Sequence, residues 1–157
     1  MVFKKIKSPV GELVLVASEK GLCAVLMEGE GWEILRDASP GDSRVLSRIE
    51  SQLKEYFAGR RKKFAVPLDL SGTAFQKMAW RALSKIPFGK TMSYSEQAMR
   101  MGDSGSARAV GQANGRNPVP IVVPCHRVVP KNGGLGGYSG GAGIKEYLLS
   151  LEGAKNF

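Results

Sequence analysis

The stretch Pro124-Cys125-His126-Arg127-Val128 sets the only histidine among 157 residues beside one of only two cysteines. A thiol attacks as its thiolate, and free cysteine, with a pKa of roughly 8.5, needs a base or a cation to react at neutral pH. Imidazole can be that base, and Arg127 stands one residue further on. The pair reads as nucleophile and base, against the plainer alternative of a buried cysteine beside a surface histidine. Cys23 lies inside an apolar run and reads as core filler. Two cysteines so far apart form no disulfide framework. With one histidine they are also too few for an ordinary four-ligand zinc site without carboxylates, so no metal is expected.

The elements around the pair must hold it. Asn117-Pro118-Val119-Pro120-Ile121-Val122-Val123-Pro124 runs straight into Cys125, and its three prolines deliver the thiol on a stiff segment whose apolar residues should be buried. Asn117 either caps a local turn or ties this segment to the preceding helix. The glycine-rich loop Gly133-Gly134-Leu135-Gly136-Gly137-Tyr138-Ser139-Gly140-Gly141 matches no nucleotide-binding pattern. It suits a lid over a pocket, with Tyr138 as a wall. The last helix carries Ile144, Tyr147, Leu148 and Leu151 on one face and ends at Glu152. A carboxylate there opposes the helix dipole, so it either frays into solvent or is held by a partner such as His126.

Upstream, Thr73 with Gln76 and Ser93 with Glu96 form two capping boxes. The first opens a helix with a stripe of Phe75, Met78, Ala79, Ala82 and Leu83, which stops before Pro87. The second opens a short helix, 95–101. A turn at Gly102-Asp103-Ser104-Gly105 and a second helix, 106–114, complete the outline of a helix-turn-helix. That second helix is small-surfaced, with Arg108 as its only charge. Either it presses into a narrow groove with Arg108 inserted among the bases, or it is a buried helix whose arginine points to water.

Residues 1–72 carry a net charge of +2 and residues 73–157 a net of +7. The basic residues of the second part, among them Lys77, Arg81, Lys85, Arg100, Arg108, Arg116, Arg127, Lys131 and Lys145, are scattered as on a folded surface facing a polyanion. Arg60-Arg61-Lys62-Lys63 reads as a solvated loop after a helix spaced on Val45, Ile49, Leu53 and Tyr56-Phe57. Before it, 12–17 and 21–26 read as strands of a hairpin turning at Ser18-Glu19-Lys20-Gly21. The expected fold is mixed α/β (α+β). A small N-terminal sheet-plus-helix domain, 1–68, packs on a mainly helical C-terminal domain, 69–157. No run approaches the roughly 18 apolar residues of a membrane span, and the start lacks a signal-peptide stretch, so a cytoplasmic protein is expected.

Asn117-Pro118-x-Pro120-x-x-x-Pro124-Cys125-His126-Arg127-Val128, Gly137-Tyr138-Ser139-Gly140-Gly141 and Lys145-Glu146-Tyr147-Leu148-Leu149-x-x-Glu152-Gly153 together closely resemble the O6-alkylguanine-DNA alkyltransferases, also called methylated-DNA–protein-cysteine methyltransferases. Phe75-Gln76, Trp80-x-Ala82-Leu83, Ile86-Pro87-x-Gly89-x-Thr91-x-Ser93-Tyr94 and Ala107-Arg108-Ala109-Val110-Gly111 fit the same family. The resemblance covers about residues 73–153, and residues 1–66 fit it loosely.

The resemblance implies direct-reversal repair. A helix-turn-helix enters the minor groove of double-stranded DNA, flips out an O6-alkylguanine and passes the alkyl group irreversibly to Cys125. His126 and Glu152 would form a relay to the thiol through water, and Asn117 would be the hinge between recognition helix and active site. Tyr94 would push on the phosphate and protonate the leaving guanine, and Arg108 would fill the vacated stack. Ser95, Ala107 and Lys131 would contact DNA, while Val128, Tyr138 and Ser139 would line the base pocket. No cofactor, membrane or obligatory protein partner is implied, and a monomer suffices. Unlike vertebrate members, the chain lacks N-terminal zinc ligands. Asn114 stands where an apolar residue often floors the pocket, which bears on the size of alkyl group tolerated. Two alternatives remain: a Cys-His hydrolase, which would turn over, and a damage-binding module without transfer.

Overall fold

The run Leu13-Val14-Leu15-Val16-Ala17 is apolar at every position instead of every second one, a pattern that needs cover on both faces of a strand. A computed structural model, describing residues 1–29, 31–103, 105–155 and 157, supplies it. The run lies in β2 (Gly11–Ala17), flanked by β1 (Val2–Ser8) and β3 (Leu22–Leu26), both antiparallel to it. A two-residue β4 (Ser39–Pro40) pairs in parallel with β1, so the sheet order is β3-β2-β1-β4. On one face Val14 and Val16 meet Ala24 and the half-buried Ile34 and Leu35 from a 3-10 helix, Trp32–Asp37. The opposite face packs on α1 (Arg44–Phe57).

Two sequence expectations shift here. β1 was not legible, because three of its seven residues are lysines. Lys4 is accommodated by ion pairs to Asp42 (2.9 Å) and Glu50 (2.7 Å), and Lys5 lies over the Trp32 ring. The buried stripe of α1 begins at Leu46, not Val45, and runs through Ile49, Gln52, Leu53 and Tyr56. Leu46, Ile49 and Leu53 are fully buried, each contributing roughly 1.5–3 kcal/mol. Gln52 survives in this stripe because its amide bonds both the N–H and the carbonyl of Ala65. Cys23 is half-buried, packing against the Val14–Val16–Ala24 cluster without joining its fully buried part.

The chain divides into units Met1–Ser71 and Gly72–Phe157. Residues 67–69 belong to the first because they bond the free edge of β3: Leu22 N–H donates to Pro67 and Asp69 N–H to Leu22.

In the second unit, α2 (Ala74–Ser84) and α3 (Tyr94–Arg100) both open on complete capping boxes, Thr73 with Gln76 and Ser93 with Glu96. The inward face of α2 is Ala79, Trp80 and Leu83, whereas Met78 is 41% exposed. Trp80 displaces Met78 because its indole N–H reaches the Ala113 carbonyl (2.9 Å) on α4 (Ala107–Gly115). Of the turn between α3 and α4, Ser104 lies outside the described residues. The two helices are locked by a reciprocal amide pair: Gln97 donates to Asn114 at 3.0 Å and Asn114 to Gln97 at 2.7 Å.

β5 (Met92–Ser93), just before α3, pairs in parallel with β6 (Val128–Val129), just after Cys125–Arg127. Residue pairs Met92–Val128 and Ser93–Val129 thus join the start of the helix pair to the cysteine segment. α5 (Ala142–Leu151) closes the unit. Its buried face is Lys145, Leu148 and Leu149, while Tyr147 is 39% exposed and Ile144 and Leu151 are half-buried. Among the described residues no helix is long and apolar enough to cross a membrane.

Candidate active site

Cys125, His126 and Arg127 form a single 3-10 turn, and all three are buried. The segment before it is shaped by one side chain. Asn117 accepts from Val119 N–H (3.0 Å) through Oδ1 and donates to the Val123 carbonyl (2.7 Å) through Nδ2. Val123 N–H closes the same loop onto the Val119 carbonyl (2.9 Å). Inside this clamp Ile121 takes a left-handed conformation, φ +76°, alone among the described non-glycine residues. Val119, Ile121 and Val123 are buried and Val122 half-buried, so the prolines do present a rigid, anchored lead-in. Asn117 acts on the cysteine segment itself.

His126 is fully buried, with Nε2 2.7 Å from Glu152 Oε2. Glu152 is the C-cap of α5 and is held, not frayed. Donors offset its position at the negative end of the helix. They include His126, Arg127 Nε (2.8 Å to Oε1), Arg127 Nη2 (3.0 Å to Oε2) and Gly89 N–H (3.3 Å to Oε1). Burial alone would raise the Glu152 carboxyl, but the bonds from His126 and Arg127 outweigh it and bring it down to about 2. An ionised carboxylate only accepts, so His126 Nε2 carries a proton. Burial, opposed by Glu152 but reinforced by Arg127 and Lys145, pushes the imidazole below its ordinary value, and the ring is neutral. Its Nδ1 is buried without a hydrogen-bond partner among the described residues and keeps its lone pair.

The resting thiol is not a thiolate. Burial lifts Cys125 above its ordinary value, and the opposing pull of Asn117 and Lys145 does not cancel the rise. The thiol must lose its proton before its sulfur can attack, and the basic groups of this buried site are the neutral His126, with a free nitrogen, and Lys145.

Arg127 and Lys145 correct the expectation that the basic residues of this part lie on the surface. Arg127 is 6% exposed; besides gripping Glu152 it donates to the Ile86 carbonyl (2.6 Å) and faces the Phe88 ring. Lys145 is fully buried, donating to the carbonyls of Val128 (2.7 Å) and Gly137 (3.3 Å). Burial, opposed by the charge of Cys125, lowers it to about 8.

Tyr94 is half-buried at the first position of α3, and burial, then the charge of Cys125, raises its hydroxyl above the ordinary value. It sits against the glycine-rich loop: a Cβ at Gly136 would come within 3.1 Å of its oxygen. Tyr138 and Ser139 are half-buried in that loop, and Val128 is buried behind Cys125. Arg108, Ser95 and Lys131 are exposed and Ala107 is half-buried. In α4 Arg108 and Ala109 face solvent while Val110, Ala113 and Asn114 are buried, an arrangement that both readings of this helix accommodate. Asn114 is committed to Gln97, so its polar group is satisfied within the helix pair.

Residues 74–154 match the family model described as 6-O-methylguanine DNA methyltransferase, DNA binding domain, and residues 1–70 match its ribonuclease-like domain. The chain belongs to the 6-O-methylguanine DNA methyltransferase family. It is 44% identical to the methylated-DNA–protein-cysteine methyltransferase of Methanosarcina acetivorans over 98% of this chain and 99% of that one. It is 42% identical to the constitutive methyltransferase of Bacillus subtilis, over 93% and 92%. The solved structure of Mycobacterium tuberculosis OGT in complex with DNA superposes with a TM-score of 0.91 at 44% identity, covering 98% of this chain and 93% of that one. Within this family fold, sequence reasoning missed Arg127 and Lys145 as buried members of the site. One signal pointed to Lys145: it lies three residues before Leu148 on α5, the spacing of one helix face.

Proposed function

We propose that this chain repairs DNA by taking the alkyl group from O6 of a guanine flipped out of the duplex onto Cys125, once per molecule. The observation that carries this reading is the neutral His126, its Nε2 proton committed to Glu152, next in the chain to the buried Cys125, in a chain similar along its length to methylated-DNA–protein-cysteine methyltransferases.

The chemistry follows from these groups. Stacking hides the alkylated oxygen, so the base must leave the helix at a cost of a few kcal/mol. α4 enters the minor groove, Arg108 fills the gap in the stack, and Tyr94 turns the nucleotide, with Ser95, Ala107 and Lys131 on the backbone. Val128, Tyr138 and Ser139 enclose the flipped base. Nδ1 of His126 takes the thiol proton through water, the sulfur attacks the alkyl carbon, and the carbon–oxygen bond breaks. Guanine takes a proton from Tyr94 and leaves neutral; the proton on His126 restores the balance. Water does not hydrolyse a thioether, so the protein is consumed. The unit Met1–Ser71 serves as a structural domain, and Gly72–Phe157 binds DNA and carries the transfer. The protein works as a monomer in the cytoplasm, at the nucleoid.

Intact-mass analysis with peptide mapping tests this after mixing with duplex DNA containing O6-methylguanine. One methyl on the Cys125 peptide, never more than one per protein, is expected. It should be absent from Cys125→Ser, which should still bind the duplex. Bound but unrepaired DNA would sink the reading.

A further inference from the structure

Glu152 lies between two basic partners, and only one of them, His126, can be without charge. His126 and Arg127 Nη2 share Oε2, at 2.7 and 3.0 Å, while Arg127 Nε and Gly89 N–H hold Oε1. The fork of the guanidinium fixes both oxygens in one plane, and the Ile86 carbonyl and Phe88 ring fix the guanidinium. A guanidinium keeps its charge at any pH a folded protein meets. The charged groups around His126 are Glu152 and Lys145 from α5 and its own neighbour Arg127; the adjoining Cys125 is an uncharged thiol. Were the imidazole protonated, it and Arg127 would share the one Glu152 carboxylate, with the Lys145 charge opposing it as well. With the ring neutral, Arg127 and Glu152 balance each other.

We infer that Arg127 is a positioning residue that keeps the resting His126 neutral and protonated on Nε2, by claiming both oxygens of Glu152 so that the carboxylate does not draw a proton onto the ring before the thiol supplies one. Buried carboxylate–histidine pairs without a competing cation favour the charged ring, and a charged ring has no lone pair for a thiol proton. Arg127 thus preserves the base. The meaning for catalysis rests on the proposed alkyl transfer; the protonation state does not.

The single histidine makes the test direct. Imidazole nitrogen resonances of the 15N-labelled protein report only His126, and they distinguish the Nε2–H tautomer, the Nδ1–H tautomer and the imidazolium. The wild type should show a neutral Nε2–H ring at pH 7. Arg127→Met should raise the titration midpoint by at least about one pH unit, about tenfold in proton affinity. Arg127→Lys, which keeps one charge without the fork, should fall between. The rate of single-turnover methyl transfer should follow. The activity Arg127→Lys loses near neutrality should recover as the pH rises, whereas a merely structural lesion would lower the rate equally at every pH.

An imidazolium or an Nδ1–H ring in the wild type at pH 7 would overturn the inference. So would an unmoved midpoint in folded Arg127→Met or, should that variant not fold, in Arg127→Lys. Failure of the wild type to take up methyl would count against the proposed function alone, since the resonances are read without DNA.

Discussion

Two clusters of acid and base, alike in their distances, serve opposite ends. In the N-terminal unit Lys4 lies between Asp42 and Glu50, at 2.9 and 2.7 Å, in contact with water. In the C-terminal unit Glu152 lies between His126 and Arg127, at 2.7 and 2.8 Å, with no exposed side chain surface on Glu152 or His126. The distances are alike; the surroundings are not. Water screens the first cluster, which does little beyond allowing a lysine-rich strand to exist. The second has no such screen, so each charge fixes its neighbour's protonation state. Contact distance says little about what an ion pair does until its solvent is known.

The contrast breaks most visibly at Glu152. Glu152→Gln leaves Arg127 buried without its counter-charge, a class of change that costs about 3–5 kcal/mol, and thermal melting should show a large drop with transfer nearly abolished. An unchanged melting temperature would mean the buried cluster is as inconsequential as the exposed one.

Acid should sharpen the contrast in two stages. The buried ring resists protonation while the unfolded one takes it up, so stability falls as the pH drops below about 6.5. Glu152 sits at about 2 when folded against 4.5 in the free side chain. Its contribution, on the order of 3 kcal/mol, is present above 4.5 and lost as the pH falls toward 2. Urea melts across this range should resolve both stages in the wild type and only the first in Glu152→Gln.

Lys145 repeats the same sign in a more alkaline window. It sits at about 8 folded and 10.5 free, so between those values the unfolded chain binds more protons and this group adds stability as the pH rises. The stability difference between wild type and Lys145→Met should therefore swing toward the wild type from pH 8 to 10.5, as read by melts of both proteins. A constant difference would place Lys145 in contact with water. Lys4→Met should have the smallest effect, a slight loss visible only in low-salt melts.

What the sequence disclosed was mostly local. Both capping boxes are written in four consecutive residues each, and both form as read. Cys125 and His126 announced themselves by scarcity and adjacency. The errors share one cause: a polar side chain turned inward by a distant carbonyl. Lys145 reaches Val128 and Gly137, Gln52 reaches Ala65 and Trp80 reaches Ala113, and each bond pulls its helix face out of the register that hydrophobicity suggests. Arg127 was hidden likewise, since its partners Ile86 and Glu152 lie 41 and 25 positions away. β1 hid in the other direction, its lysines masking a strand that the sheet's geometry and two carboxylates make tenable.

Ile121 gives a practical warning to anyone improving this protein. A β-branched residue at φ +76° carries roughly 1–2 kcal/mol of conformational cost, and glycine there would relieve it. A stability-driven redesign would pick that substitution early and score it as a gain. Yet Asn117 spends two hydrogen bonds on the loop that contains it, four residues ahead of the nucleophile. The relaxed loop would have more shapes to choose from, and the thiol would be aimed less often. At this position a rise in melting temperature should be distrusted until reactivity has been measured beside it.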